Sequence, residues 1–319
     1  MVLRNSGRVG SRLPWQCEEH TGRVSSLTRL FLYHYPKYIH MLSTVAYIRE
    51  RLSPFYTEGE IKSFICWLME DLAGIPPYRL IMMEDELDEN TKKKITDATE
   101  RLARFEPIQY IIGKTSFCGH TFNLTSSVLI PRPETAGLVQ MIIQDFKKKP
   151  ATILDIGTGS GCIAISLASE LPNSKVTAVD ISEEALIVAK ENAKQNNVDI
   201  DWLLMDILSD ESLPLLKHYD CIVSNPPYVM ENEKDAMEHN VLDYEPQLAL
   251  FVPNDDPLLF YRRIAHVGKK FLKKGGCLYF EINERFGTEM INLLEHEYFH
   301  EIELSVDYNG KDRFIKAQL

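Results

Sequence analysis

Between Glu58 and Leu72 the apolar residues Ile61, Phe64, Ile65, Leu68, Met69 and Leu72 recur at helical spacing, with Lys62, Glu70 and Asp71 off the stripe. That pattern predicts an amphipathic helix with one face in a core. Gly74 and the pair Pro76-Pro77 stop it, and Ile95, Ala98, Leu102 and Phe105 mark a second helix over about Glu89 to Phe105. With the segment from Val45 to Leu52, these make a small helical domain. From Thr115 to Leu124 the pattern turns β-like around Gly119 and predicts a hairpin, and Val128-Leu129-Ile130 reads as a further short strand.

Beyond Pro150 strands and helices alternate. Strands are predicted at Thr152 to Leu154, Val176 to Val179, Trp202 to Leu204, Cys221 to Val223 and Cys277 to Ile282, with closing strands near Ile302 to Val306 and Arg313 to Ala317. Helices are predicted at Cys162 to Leu171, Ser182 to Asn196, Pro257 to Leu272 and Glu289 to His296, the second capped by Ser182 with Glu183 and Glu184 in its first turn. This is an α/β domain with a mainly parallel sheet, whose ligand belongs outside the strand C-termini near a switch point. The expected division is an unstructured extension over 1–40, a helical docking domain over 41–112, a β-hairpin linker over 113–132 and the α/β domain over 133–319.

Charge and cysteine usage narrow the classes. Thirty-five Lys and Arg against 46 Asp and Glu leave a net charge of −11, a poor balance for stable nucleic-acid binding. No apolar run approaches the ~18 residues of a membrane helix, so no membrane partner is expected. Cys17, Cys66, Cys118, Cys162, Cys221 and Cys277 are scattered without a C-x-x-C, as in a reducing compartment. The first forty residues are basic and lack the apolar core of a secretory signal. They read either as an extension upstream of a start at Met41, with a cytoplasmic protein, or as a presequence to the mitochondrial matrix.

Two motifs carry chemistry. The first is Asp155-Ile156-Gly157-Thr158-Gly159-Ser160-Gly161, between a strand and a helix, followed 19 residues after Gly161 by Asp180 at the end of the next strand. Glycines let the backbone approach a ligand, and a carboxylate at that spacing suits a ribose diol. The G-x-G-x-G spacing differs from the dinucleotide pattern, and Asp155 just before it would repel a pyrophosphate. A ligand bearing a sulfonium or ammonium fits better, which favours S-adenosylmethionine over NAD, with a structural glycine turn as the bland alternative. Metal-ligand spacings are absent among the nine histidines.

The second motif is Ser224-Asn225-Pro226-Pro227-Tyr228 at the end of a predicted strand. Its prolines stiffen the turn, Asn225 and the Pro226 carbonyl offer acceptors, and Tyr228 offers a flat face. These groups suit an –NH2 on a planar conjugated system.

Together the motifs resemble class I S-adenosylmethionine-dependent methyltransferases of the N-P-P-Y group, which act on amide or exocyclic amino nitrogens. The stretches Arg104 to Gly113, Val128 to Thr135 and Glu245 to Leu250, with the helical N-domain, are similar to peptide chain release factor glutamine N5-methyltransferases from about Met41 to the C-terminus. Ala136, Val252 to Asp256 and Asn283 to Phe286 depart from that family's pattern. The resemblance implies a Rossmann-like sheet, S-adenosylmethionine as cofactor, and class I release factors as protein partners, methylated on the glutamine of a Gly-Gly-Gln motif. It implies that Asn225 and Pro226 hold the amide hydrogens while Tyr228 packs on the amide plane, with Pro227 completing the substrate site. It places Asp155 and Gly157 to Gly161 (with Thr158, Gly159 and Ser160) along the methionine and ribose, Asp180 on the ribose hydroxyls, Asp206 and Ile207 at the adenine, and Asn225 beside the cofactor. Arg132 and Glu134 are expected to act as interdomain positioning residues. The competing readings are an adenine-N6 or guanine-N2 methyltransferase on RNA or DNA, and a non-catalytic adaptor.

Overall fold

The computed structural model describes residues 36–80 and 87–319, with side chains from Thr44 onward. The expected extension over 1–40 falls mostly outside the described residues; its last five residues, from Pro36, begin a helix. By its internal contacts the chain divides into Met1–Ile112 and Gly113–Leu319.

The first unit holds α1 (Pro36–Leu52), α2 (Glu58–Ala73), α3 (Glu89–Leu102) and the short α4 (Ile108–Ile112). The apolar stripe of α2 is buried as its spacing requires, Ile61, Ile65, Leu68 and Met69 packing against Ile48 and Leu52 of α1 and Ile95 and Leu102 of α3. Thr57 caps α2 in a reciprocal box with Glu60, and Gly74 ends it in the left-handed conformation, φ +68°. Arg51 grips both oxygens of Glu100 at 2.8 and 2.9 Å, tying α1 to α3.

The second unit opens with a hairpin of β1 (Lys114–Phe117) and β2 (His120–Asn123), then α5 (Thr135–Phe146). Strands β3 (Thr152–Ile156), β4 (Lys175–Asp180), β5 (Asp201–Leu204) and β6 (Tyr219–Ser224) alternate with α6 (Cys162–Glu170) and α7 (Glu183–Gln195). Two-residue strands β7 (Val229–Met230) and β8 (Phe251–Val252) pair beyond the N-P-P-Y turn, with the short α8 (His239–Leu242) between them. The chain closes with α9 (Leu259–Phe271), β9 (Leu272–Glu281), α10 (Gly287–His296), β10 (His300–Val306) and β11 (Asp312–Gln318).

Seven strands form one sheet in the order β10-β11-β9-β6-β3-β4-β5. From β9 to β5 the neighbours are parallel, and β11 is antiparallel to both β9 and β10. Two apolar cores lie in this unit, one including α9 and α10 and the other α5 and α6. The order reverses between β3 and β6, the place where an open α/β sheet leaves a crevice.

The elements differ in places from the sequence pattern. The hairpin expected as a linker belongs to the second unit, because Phe117 and Phe122 are buried in the core beside α6. Val128 to Ile130 is not a strand; its alternating burial imitates one, but the Ile130 N–H donates to the Glu245 carboxylate at 3.3 Å rather than to a neighbouring strand. Helix α5 appears where the pattern predicted no element. The described cysteines, Cys66, Cys118, Cys162, Cys221 and Cys277, are free thiols.

Candidate active site

The strand ends at the reversal carry both motifs. Ile156 at the end of β3 and Ser224 at the end of β6 are register partners, and the Ser224 hydroxyl donates to the Ile156 carbonyl at 2.7 Å. Beyond β3, Gly157, Gly159 and Gly161 all adopt positive φ, +72°, +54° and +82°. Gly161 is doubly constrained, since a Cβ there would come within 2.9 Å of Ile165 Cδ1 and 3.2 Å of Ala189 Cβ. The third glycine therefore sets how closely α6 starts against α7.

The loop is held from three sides. Gly157 and Thr158 N–H groups donate to the Val179 carbonyl at 2.9 and 3.1 Å. Asp180 accepts from the Gly159 N–H at 2.8 Å on one oxygen and from the Ser182 N–H at 3.0 Å on the other. Asn192, fully buried on α7, donates to the Ser160 carbonyl at 2.9 Å and accepts the Asn123 N–H at 2.7 Å, fastening the hairpin to the loop. Ser182 caps α7 by accepting from the Ala185 N–H at 3.1 Å.

A cavity of about 390 Å³ lies over these strand ends. Gly157, Gly159, Asp180, Asp206, Ile207, Asn225, Pro226 and Pro227 line it among the predicted site residues, with Met205, Leu208, Phe260 and Ile264 supplying apolar wall. Its floor is therefore built jointly by the two motifs. The Asp180 carboxylate spends one hydrogen bond per oxygen on the backbone, which leaves acceptor capacity on both for a pair of hydroxyls. Burial pushes its pKa up, opposed by those N–H groups. The size and the apolar flank suit a purine nucleoside, and the carboxylate at the edge suits its ribose. On these grounds the residues fit S-adenosylmethionine.

Other predicted residues stand behind this surface. Asp155, Thr158, Ser160 and Gly161 are not among the lining residues. Asp155 is fully buried; one oxygen accepts the Thr158 hydroxyl at 2.6 Å and Oδ1 has no hydrogen-bond partner. Burial pushes its carboxyl up to about 7, against the Thr158 hydrogen bond and with the Asp180 charge adding to the rise. Asp155 thus props the loop from beneath. Tyr228 also lies off the cavity, its ring against the core and its hydroxyl donating to Glu281 Oε1 at 3.3 Å. Arg132 pairs with the buried Glu245 at 2.6 Å and Glu134 accepts the Tyr308 hydroxyl at 2.7 Å, both within the second unit.

Sequence reasoning missed three residues. Asn192 carried no signal beyond a polar residue on a helix. Thr135 lies in a stretch recognised only as a resemblance, and Glu281 ends a strand whose pattern is wholly apolar before it. Both are buried, and Thr135 Oγ1 donates to Glu281 Oε2 at 2.6 Å. Burial raises the Glu281 carboxyl, while the Thr135 hydroxyl, the Arg313 charge and the Tyr228 hydroxyl oppose the rise and Glu134 adds to it.

A parallel sheet reversing between β3 and β6, with a glycine loop and N-P-P-Y at adjoining strand ends, defines a class I methyltransferase. Residues 136–246 match the methyltransferase small domain family and 45–113 the PrmC N-terminal domain family. The chain is 45% identical over 273 residues to the release factor glutamine methyltransferase of Bacteroides thetaiotaomicron, covering 85% of this chain and 98% of that one. It is 44% identical to the enzyme of the same name from Flavobacterium psychrophilum, covering 84% and 95%. The chain belongs to the release factor glutamine methyltransferase family. Among solved structures, a methyltransferase from Pyrococcus furiosus aligns with a TM-score of 0.46 at 15% identity over 72% of this chain and 98% of that one.

Proposed function

We propose that this enzyme transfers a methyl group from S-adenosylmethionine to the side-chain amide nitrogen, N5, of the glutamine in the Gly-Gly-Gln motif of class I peptide chain release factors. The observation that carries the reading is a cavity whose floor is shared by Gly157, Gly159 and Asp180 from one motif and Asn225 and Pro226 from the other. Bound there, S-adenosylmethionine supplies an electrophilic methyl on a sulfonium centre. Asp180 accepts from the ribose hydroxyls, and Asp206 and Ile207 flank the adenine. Asn225 Oδ1 and the Pro226 carbonyl accept the two hydrogens of the substrate –NH2, and Pro227 stiffens the turn that presents them.

An amide nitrogen is a poor nucleophile because its lone pair is delocalised, so the rate must come mostly from placement. Holding the two reactants in line can contribute roughly 7–11 kcal/mol. As the C–N bond forms the S–CH3 bond breaks, its electron pair staying on sulfur, and the nitrogen, acidic only once methylated, loses its proton to water, so no base is needed beforehand. The helical first unit is read as the docking domain for the release factor.

Incubation with methyl-labelled S-adenosylmethionine, purified release factor and total RNA tests the reading. Label should enter the release factor at glutamine and leave the RNA unlabelled. Labelled RNA with unlabelled release factor would establish the nucleic-acid reading instead, and binding without transfer to either the adaptor.

A further inference from the structure

The reaction as described gives no task to Thr135, at the head of α5, or to Glu281, at the end of β9. Yet they join the two ends of the N-P-P-Y turn. Asn225 Nδ2 lies 3.4 Å from Thr135 Oγ1, the Thr135 hydroxyl donates to Glu281 Oε2 at 2.6 Å, and the Tyr228 hydroxyl donates to Glu281 Oε1 at 3.3 Å. Thr135 is 2% exposed and Glu281 1%, so water does not compete for these bonds. The Glu281 carbonyl is itself held by the fully buried Tyr261 hydroxyl at 3.1 Å.

The chain of bonds has a direction. A carboxylate only accepts, and a hydroxyl has one proton; once the Thr135 hydroxyl donates its hydrogen bond to Glu281, its oxygen can only accept from Asn225. The Asn225 carboxamide must then turn its NH2 toward Thr135. Its oxygen is left on the opposite side of the planar group, and Asn225 lines the cavity. A substrate –NH2 needs an acceptor there, and the reverse flip would set two donors against each other.

We propose that Thr135 and Glu281 are positioning residues that fix the flip of the Asn225 carboxamide, so that its oxygen receives the substrate amide hydrogen; this rests on the methyl-transfer reading above. Thr135→Val keeps the shape and removes the acceptor. Glu281→Gln can donate to Thr135, which lets the Thr135 hydroxyl donate to Asn225 and favours the wrong flip.

The test measures kcat and KM with release factor, S-adenosylmethionine affinity by calorimetry, and the thermal midpoint. Thr135→Val and Glu281→Gln should each lower kcat about 10- to 100-fold, somewhat less than the direct loss of a transition-state hydrogen bond. Cofactor affinity should stay within about threefold, and Thr135→Ser should recover most of the loss because it restores the hydroxyl. A purely structural role would instead lower the thermal midpoint and cofactor affinity, with kcat of the folded enzyme retained. Wild-type kcat in folded Thr135→Val, or a Thr135→Ser variant as slow as Thr135→Val, would overturn the proposal. If Glu281→Gln does not fold, the Thr135 pair decides. A wild-type enzyme that binds S-adenosylmethionine but leaves release factor unlabelled marks failure of the reaction reading itself, and the proposal goes with it.

Discussion

Asp155 sits under the glycine loop with no exposed surface, one oxygen on the Thr158 hydroxyl and the other without a partner. Burial raises its pKa from the ordinary 3.8 to about 7. In the native state it therefore keeps a proton that the unfolded chain has already lost between about pH 4 and pH 7. Because the folded form binds more protons across that window, stability contributed by this group is full below about pH 4 and is lost as pH rises through about 7. At about 1.4 kcal/mol per unit, the whole swing is on the order of 4 kcal/mol, and more than half of it falls between pH 5 and 8. Asp155→Asn is uncharged throughout and can still accept from Thr158. Urea unfolding of the two proteins at pH 5 and pH 8, with Trp15 and Trp67 replaced by Phe so that Trp202 on β5 reports the second unit, isolates the effect. Relative to wild type, the Asn variant should gain about 2–3 kcal/mol on going from pH 5 to pH 8. A difference that does not change with pH would mean that the carboxylate is already ionised when folded, and the account of its burial would be wrong.

Further expectations concern the glycine loop, the N-P-P-Y turn and the Arg132–Glu245 pair. Asn225→Ala should abolish transfer while S-adenosylmethionine titrates as in wild type; retained transfer to release factor would sink the role given to that side chain. Asp180→Ala removes both the ribose acceptor and the carboxylate that accepts from Gly159 and Ser182, so cofactor affinity should fall about 100-fold or more by calorimetry. Gly161→Ala forces a left-handed residue and a 2.9 Å contact with Ile165 Cδ1, and urea unfolding should show a loss of about 1–3 kcal/mol. Arg132→Ala strands the Glu245 charge, whose side chain is 1% exposed, at a cost of about 3 kcal/mol. Adding Glu245→Gln should return part of it in the same unfolding measurement.

Both chemical motifs were legible because each is local. The positive-φ glycines, the Ser182 cap and the strand that precedes Asn225 lie within a few residues of the groups they place, so spacing alone exposes them. What supports the motifs was not legible. Thr135 meets Glu281 across 146 residues and Asn192 meets Asn123 across 69, and no periodicity records such pairings. Val128 to Ile130 shows the opposite failure: three β-prone residues in a row read as a strand even though a side-chain carboxylate takes the Ile130 backbone donor. Asp155 shows a third kind. Its sequence position beside the glycines suggested contact with a cation, and its depth beneath the loop, with the raised pKa that follows from burial, is not written in that spacing.

The pairing of Ile156 with Ser224 has a consequence for how such an enzyme can diverge. The donor loop and the acceptor turn each leave the sheet at that rung, so their separation is set by the spacing of hydrogen-bonded strands, about 4.8 Å. On the proposed reading the sheet is a ruler between the two reactants: loops beyond the strand ends are free to vary while the backbone rung from which both motifs leave stays where it is.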